Sequence, residues 1–210
     1  MPKSGLTAIA VVMDQSGSMQ SIKGDAIGGF NSFLEAQKKC PGEALFSLVL
    51  FDSANYNEVY MNVPIKDVKP LDDSSYKPGA CTPLLDAIGN TMNKVGQSLV
   101  AMKEEDRPEK VVFVILTDGL ENASKTFGGD KIKEMIDLQT QSYKWQFVFL
   151  AANMDACLVG GSMGIGIMGT QSWAGGAQLR AAYIGTASAV STYRCCADPN
   201  AKVVVNVNPK

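Results

Sequence analysis

The sequence predicts an α/β fold, doubly wound around a mainly parallel central sheet with one antiparallel edge strand and helices on both faces. Several short apolar runs are continuous rather than alternating, as expected of strands covered on both faces. Segments with helical apolar spacing separate these runs, and that alternation defines a parallel sheet with helical crossovers. One segment, residues 55–63, alternates along its length and supplies the antiparallel edge.

The elements follow in order. Residues 7–13 form the first buried strand, and Asp14-Gln15-Ser16-Gly17-Ser18 ends it in loop residues. Residues 22–39 place Ile22, Ala26, Ile27, Phe30, Phe33 and Leu34 on one helical face. Gly28-Gly29 weakens that helix, and Pro41-Gly42 stops it. Residues 44–52 are a second buried strand, paired with the alternating segment, and residues 66–80 are a loop. Thr82 is placed as the N-cap and Pro83 in the first turn of a helix running to about Met102. Leu84, Leu85, Ile88, Met92, Val95 and Leu99 share its inner face. Residues 103–110 are charged and exposed, and the strongest buried strand, 111–116, ends at Thr117-Asp118-Gly119. A helix over 130–143, with Ile132, Met135, Ile136 and Leu138, precedes a strand over 145–151. Beyond lie a glycine-rich stretch, a helix over 177–194 and a valine-rich tail, 202–207. Nothing has linker composition, so residues 1–210 are read as one domain. Its core spans about 6–195, and 196–210 form a C-terminal tail with a candidate extra strand.

Composition narrows the function. Hydrophobic residues make up 46% and charged residues 19% of the 210, a globular balance. Nineteen basic and 21 acidic residues leave a net charge of −2, which gives no reason to expect a nucleic-acid or anionic-membrane partner. There is no histidine. Ser-His-Asp and Cys-His catalysis, His-ligated zinc and histidine pH switching are therefore excluded. The five cysteines include no Cys-x-x-Cys, so a reduced, cytoplasmic protein is expected. No apolar stretch of signal-peptide length precedes Asp14, and no window has the character of a membrane helix.

Three polar clusters carry the candidate chemistry: Asp14-x-Ser16-x-Ser18 after the first strand, Thr82 before a helix, and Thr117-Asp118-Gly119 after the central strand. In a parallel α/β sheet, loops after the strands gather at one edge, where ligands bind. Two carboxylates and three hydroxyls are hard oxygen donors. They suit magnesium or manganese, with calcium behind, and not zinc or copper. So few anionic donors leave the metal electron-poor and receptive to a carboxylate from a partner.

These motifs resemble the metal-ion-dependent adhesion site (MIDAS) of the von Willebrand factor A (VWA) domain family. Asp14-Gln15-Ser16-Gly17-Ser18 matches its Asp-x-Ser-x-Ser pattern. Gly79-Ala80-Cys81-Thr82-Pro83-Leu84 resembles its Gly-x-Thr-Pro-Leu segment with one residue inserted, and Thr117-Asp118-Gly119 matches the third motif. The resemblance covers roughly residues 6–152. It implies the Rossmann-like VWA fold and a metal site of Asp14, Ser16, Ser18, Thr82 and Asp118. In the family Ser16 and Ser18 would bind the metal directly, while the aspartates and Thr82 alternate between direct and water-mediated contact. Size and cysteine usage resemble intracellular bacterial or phage members, which act within multiprotein assemblies.

Simpler readings stand beside these. Asp14 and Ser16 also suit a turn and helix cap. Glu121 and Asn122 are candidate rim residues, against a solvated loop; Asn153 and Asp155 are candidate outer residues of the site, against an Asx-turn or cap. Cys195-Cys196 reads as helix-end packing. The Gly-x-Gly-x-x-Gly at 164, 166 and 169 does not clearly join a strand to a helix, so nucleotide binding is not expected there. The expected function is a divalent-metal-dependent protein-binding module, not an enzyme, with a partner Glu or Asp completing the site. One alternative is an assembly protein with a vestigial or stabilising metal site, its valine tail adding to a sheet edge. A less favoured one is a magnesium-dependent phosphoryl-transfer enzyme with Asp14 as nucleophile. Haloacid-dehalogenase-like phosphatases need a second acid where Ser16 stands, and no Walker motif occurs.

Overall fold

The computed structural model describes residues 1–152, 156–198 and 201–205. Strand β1 (Lys3–Asp14) lies inside a six-stranded sheet whose other members are β2 (Glu43–Phe51), β3 (Tyr56–Pro64), β4 (Pro108–Thr117), β5 (Gln146–Ala152) and β6 (Thr170–Trp173). The strand order is β3-β2-β1-β4-β5-β6. All neighbours pair in parallel except β2 and β3, so the predicted sheet with one antiparallel edge is the observed one. The charged segment after residue 103 is shorter than expected, because β4 already begins at the buried Pro108.

The continuous apolar runs are explained by two separate cores. Ile9, Val11 and Met13 of β1 face α1 (Lys23–Lys39) and α5 (Gly176–Cys195). Ala8, Ala10 and Val12 face α2 (Leu84–Ala101) and α3 (Gly129–Tyr143). Successive strand residues point to opposite faces, so a strand between two cores needs apolar residues at every position. Each predicted helix buries its apolar stripe, except that Leu138 is exposed on α3. Gly29 in α1 is not merely a weak point. A Cβ there would overlap the ring of the buried Tyr183, so glycine allows α5 to approach α1 closely.

The glycine-rich stretch holds regular structure. It contains α4 (Ala156–Ser162), a 3-10 turn at Ile167–Gly169 and β6. The candidate strand of the tail lies partly outside the described residues; residues 201–205 form no strand, although Val203 and Val205 are buried and the Val205 N–H donates to the Met168 carbonyl at 2.8 Å. Among the described residues, no helix is long and apolar enough to cross a membrane.

Candidate functional site

The chain leaves β1 by α1 toward β2 on one side, and leaves α2 for β4 on the other. The gap beyond the C-terminal ends of β1 and β4 is thus the point where the winding reverses. Asp14 is the last residue of β1 and Thr117 the last of β4; both are fully buried. Asp14 Oδ1 accepts from the Ser16 N–H at 2.7 Å, and Oδ2 accepts from Thr117 Oγ1 at 2.6 Å. A buried carboxylate with both oxygens engaged has one orientation, facing the gap. Tyr76, buried in the 65–80 loop, donates its hydroxyl to the Asp14 carbonyl.

After Ser16 the chain enters a 3-10 turn, Gly17–Ile22, which brings Ser18 round to the same opening. Ser16 Oγ and Ser18 Oγ lie 3.1 Å apart, and Ser18 Oγ donates to Asp118 Oδ1 at 2.6 Å. Thr82 arrives from the opposite side. A Cβ built on Gly119 would lie 3.4 Å from Thr82 Oγ1 and 3.7 Å from Ser18 Oγ, so the two hydroxyls flank that glycine. The structure therefore brings Asp14, Ser16, Ser18, Thr82 and Asp118 together from three loops.

Thr82 is not the N-cap expected from sequence. The helix begins one residue later, Pro83 occupies the cap position, and no side chain caps it. The Thr82 N–H is instead held by Asn122 Oδ1 at 2.9 Å, and its carbonyl accepts the Asn122 N–H at 3.2 Å. Asn122 thus positions Thr82. Glu121 also does more than sit in a solvated loop. It accepts from the N–H groups of Leu85, Ala123 and Ser124, and so satisfies a free donor at the start of α2. Asn153 and Asp155 lie outside the described residues.

Electrostatically the gap lacks positive charge. Burial, opposed by the Thr117 and Ser16 hydrogen bonds and reinforced by the charge on Asp118, pushes Asp14 from 3.8 up to about 6. Burial also raises Asp118, with the Ser18 hydrogen bond opposing it. No cationic side chain among the described residues pairs with either carboxylate. Nor do three or more His, Cys, Asp or Glu side chains among them gather so as to hold a metal ion. The gathered donors are two carboxylates and three hydroxyls, a set that fits a small hard cation. A polar groove adjoins the site, lined by Asp52, Ser53, Cys81, Asp86, Asn122 and Lys125.

Sequence reasoning passed over Tyr76 and Asp86. Asp86 accepts from the N–H groups of Lys125, Thr126 and Phe127 and so fixes the loop after Asp118. The signal for Tyr76 was present: it is the single aromatic residue of the 65–80 loop.

With this geometry the fold is that of a VWA domain. Among solved structures it is similar to the von Willebrand factor type A protein from Catenulispora acidiphila, with a TM-score of 0.61 and 12% identity over 88% of this chain and 42% of that one. It is similar also to proximal thread matrix protein 1 (PTMP1) from the mussel byssus, with a TM-score of 0.61 and 15% identity over 89% of this chain and 46% of that one. The chain therefore spans less than half the length of either. No family model matches the sequence, and no curated protein does.

Proposed function

We propose that the chain is a divalent-metal-dependent protein-binding module of the MIDAS type, and not an enzyme. The observation that carries this reading is the convergence of Asp14, Ser16, Ser18, Thr82 and Asp118 on one opening, whose two carboxylates pair with no cation among the described residues. These five residues would hold magnesium or manganese, with calcium third. Bound there, the cation would supply a Lewis acid for a Glu or Asp carboxylate of a protein partner.

The chain's own residues do the rest. Thr117 and the Ser16 N–H fix the Asp14 carboxylate. Asn122 fixes Thr82 from behind, as residues outside a metal's direct ligands commonly do. The adjoining groove, with Asp86, Asn122 and Lys125, offers polar surface to the residues flanking the partner's carboxylate. An intracellular bacterial or phage multiprotein assembly is the setting proposed with it.

Calorimetric titration with magnesium, manganese and calcium tests the site, and retention of a partner from host lysate in magnesium against EDTA tests the function. Wild type is expected to bind metal and to retain a partner only with it. Asp14→Asn and Thr82→Val are expected to do neither while remaining folded. Unchanged metal binding in Asp14→Asn would overturn the metal site. A partner retained equally in EDTA would move the interface elsewhere.

A further inference from the structure

A second chemistry-bearing cluster lies away from the metal-site loops, where α1 and α5 both end. Cys40 follows the last residue of α1 and Cys195 is the last residue of α5. Their sulfurs are 3.6 Å apart, although the residues are 155 positions apart in sequence. The helices that carry them are cross-braced. Gln37 Nε2 donates to the Ala187 carbonyl at 2.9 Å and to Ser191 Oγ at 3.0 Å, and Arg194 Nη1 donates to the Gln37 carbonyl at 2.7 Å. Arg194 Nη2 reaches the Gly42 carbonyl at 3.2 Å, just past Cys40. Packing that fixes both helix ends in this way fixes the two thiols against each other.

The pair is also accessible. Cys195 is exposed and Cys40 half-buried, and both line a shallow depression together with Lys39, Pro41, Ser191 and Cys196. Cys81 and Cys157 have no such arrangement: Cys81 borders the groove by the metal-site loops, and Cys157 accepts from Thr170 Oγ1 at 3.2 Å.

We propose that Cys40 and Cys195 form a reversible dithiol–disulfide site that reacts with low-molecular-weight disulfides. The exposed Cys195 thiol loses its proton to water, and its sulfur attacks one sulfur of RS–SR. That S–S bond breaks, a Cys195–SR mixed disulfide forms, and RS⁻ leaves to take up a proton. The Cys40 thiol then loses its proton, and its sulfur attacks Cys195 Sγ, displacing the second RS⁻. Two protein thiols are oxidised to one disulfide and one RS–SR is reduced to two RSH. The order of attack follows from exposure, and the chemistry around Cys40 agrees with it. Burial pushes the Cys40 thiol up against the opposing pull of the Arg194 charge, which suits a resolving thiol rather than the entry point. The resulting bond would tie the ends of α1 and α5 across a long stretch of chain, where a cross-link restricts the unfolded state most.

The test incubates the full chain in glutathione buffers of graded oxidised-to-reduced ratio, then blocks free thiols and maps peptides without reduction. The expected product is a Cys40–Cys195 cross-linked peptide, with Cys81 and Cys157 alkylated. Oxidation should raise the thermal midpoint by roughly 5–15 °C, and dithiothreitol should reverse it. Cys195→Ser removes both the cross-link and the rise, whereas Cys196→Ser keeps them. Cys195→Ser changes an exposed side chain, so it serves where Cys40→Ser fails to fold. Stable glutathionylation of Cys195 in the folded protein, pairing of either residue with Cys196, or a cross-link that lowers the midpoint would each overturn the proposal.

Discussion

Up to Ala152 the loops at the sheet edge are tied to carboxylates and amides, whereas between Ala156 and Trp173 the chain is fitted at Gly160 against a side chain and at Gly169 against backbone. In the first region Asp14, Asp86 and Glu121 between them accept from the backbone N–H groups of seven residues: Ser16, Lys125, Thr126, Phe127, Leu85, Ala123 and Ser124. In the second, a Cβ on Gly160 would lie 2.6 Å from Thr170 Cγ2, and one on Gly169 would overlap the Phe147 carbonyl oxygen. The first way of placing a loop sets the side-chain oxygens of Asp14, Ser16, Ser18 and Asp118 close to one another. The second sets the chain by close packing at Gly160 and Gly169.

The contrast predicts opposite responses to small substitutions. Gly169→Ala forces a methyl against the backbone of β5, which cannot rotate away as a side chain can. It is expected to destabilise the fold by about 3 kcal/mol or more, read from urea denaturation. A loss under about 1 kcal/mol would mean the 167–169 turn adjusts easily and the contrast is overstated.

Asp14→Asn is the corresponding change in the first region and should spare the fold. Asparagine keeps an acceptor for the Ser16 N–H, and its amide faces Thr117 Oγ1 as a donor in place of the second oxygen. In EDTA its stability should equal or exceed that of wild type, because a buried negative charge beside Asp118 is gone. Magnesium at 100 times its dissociation constant should stabilise wild type by about 2.7 kcal/mol and leave Asp14→Asn unmoved. Thermal melts with and without magnesium read both.

The pH dependence sharpens the comparison further. Burial would raise Asp86 and Glu121, but the backbone donors outweigh it and hold both below their ordinary values of 3.8 and 4.5. A carboxylate with a lowered folded value contributes stability that is present above its unfolded value and is lost as pH falls through the folded one. The loop carrying Asp118 should therefore loosen below about pH 4.5, as N–H groups of residues 123–127 exchange faster with solvent. The double variant Asp86→Asn, Glu121→Gln should show little further acceleration on acidification. Equal acid responses in the two proteins would remove the carboxylates from that role.

The two regions also differ in how far their sequences disclosed them. Hydrogen-bonded loops carry Asp, Ser, Thr and Asn at strand ends, and those residues pointed to the observed meeting of Asp14, Ser18, Thr82 and Asp118. The roles of Asn122 and Glu121 were less plain, because an amide or carboxylate in a loop looks the same whether it holds backbone or faces water. Helix boundaries were misjudged only where local chemistry was outweighed. Thr82 has the composition of an N-cap, but its N–H and carbonyl are engaged by Asn122. The glycine-fitted region was opaque, since Gly160 and Gly169 read as loop residues until the side chain and the backbone they meet are known. The contact between Cys40 and Cys195 was hidden for a similar reason: it depends on where two long helices end, not on any local pattern.

The smallest effect belongs to the segment between Gly79 and Leu84. Ala80 there has a φ of 57°. The left-handed region disfavours a Cβ. The conformation is imposed from both sides. The Ala80 carbonyl accepts the Gly17 N–H at 3.0 Å and the Gly79 N–H reaches the Gln15 carbonyl at 2.8 Å, while the Cys81 carbonyl accepts the Ser53 N–H at 2.9 Å. Glycine at 80 would relieve the strain and keep all three bonds, so Ala80→Gly should stabilise the protein by about 0.5–1 kcal/mol. Magnesium affinity should not change, because Thr82 is held by Asn122 and not by residue 80. At 80, then, a glycine is an optional relief, whereas at 169 it is required, and the two substitutions should differ in sign. If Ala80→Gly instead destabilises the chain, the extra freedom of the unfolded state outweighs the strain.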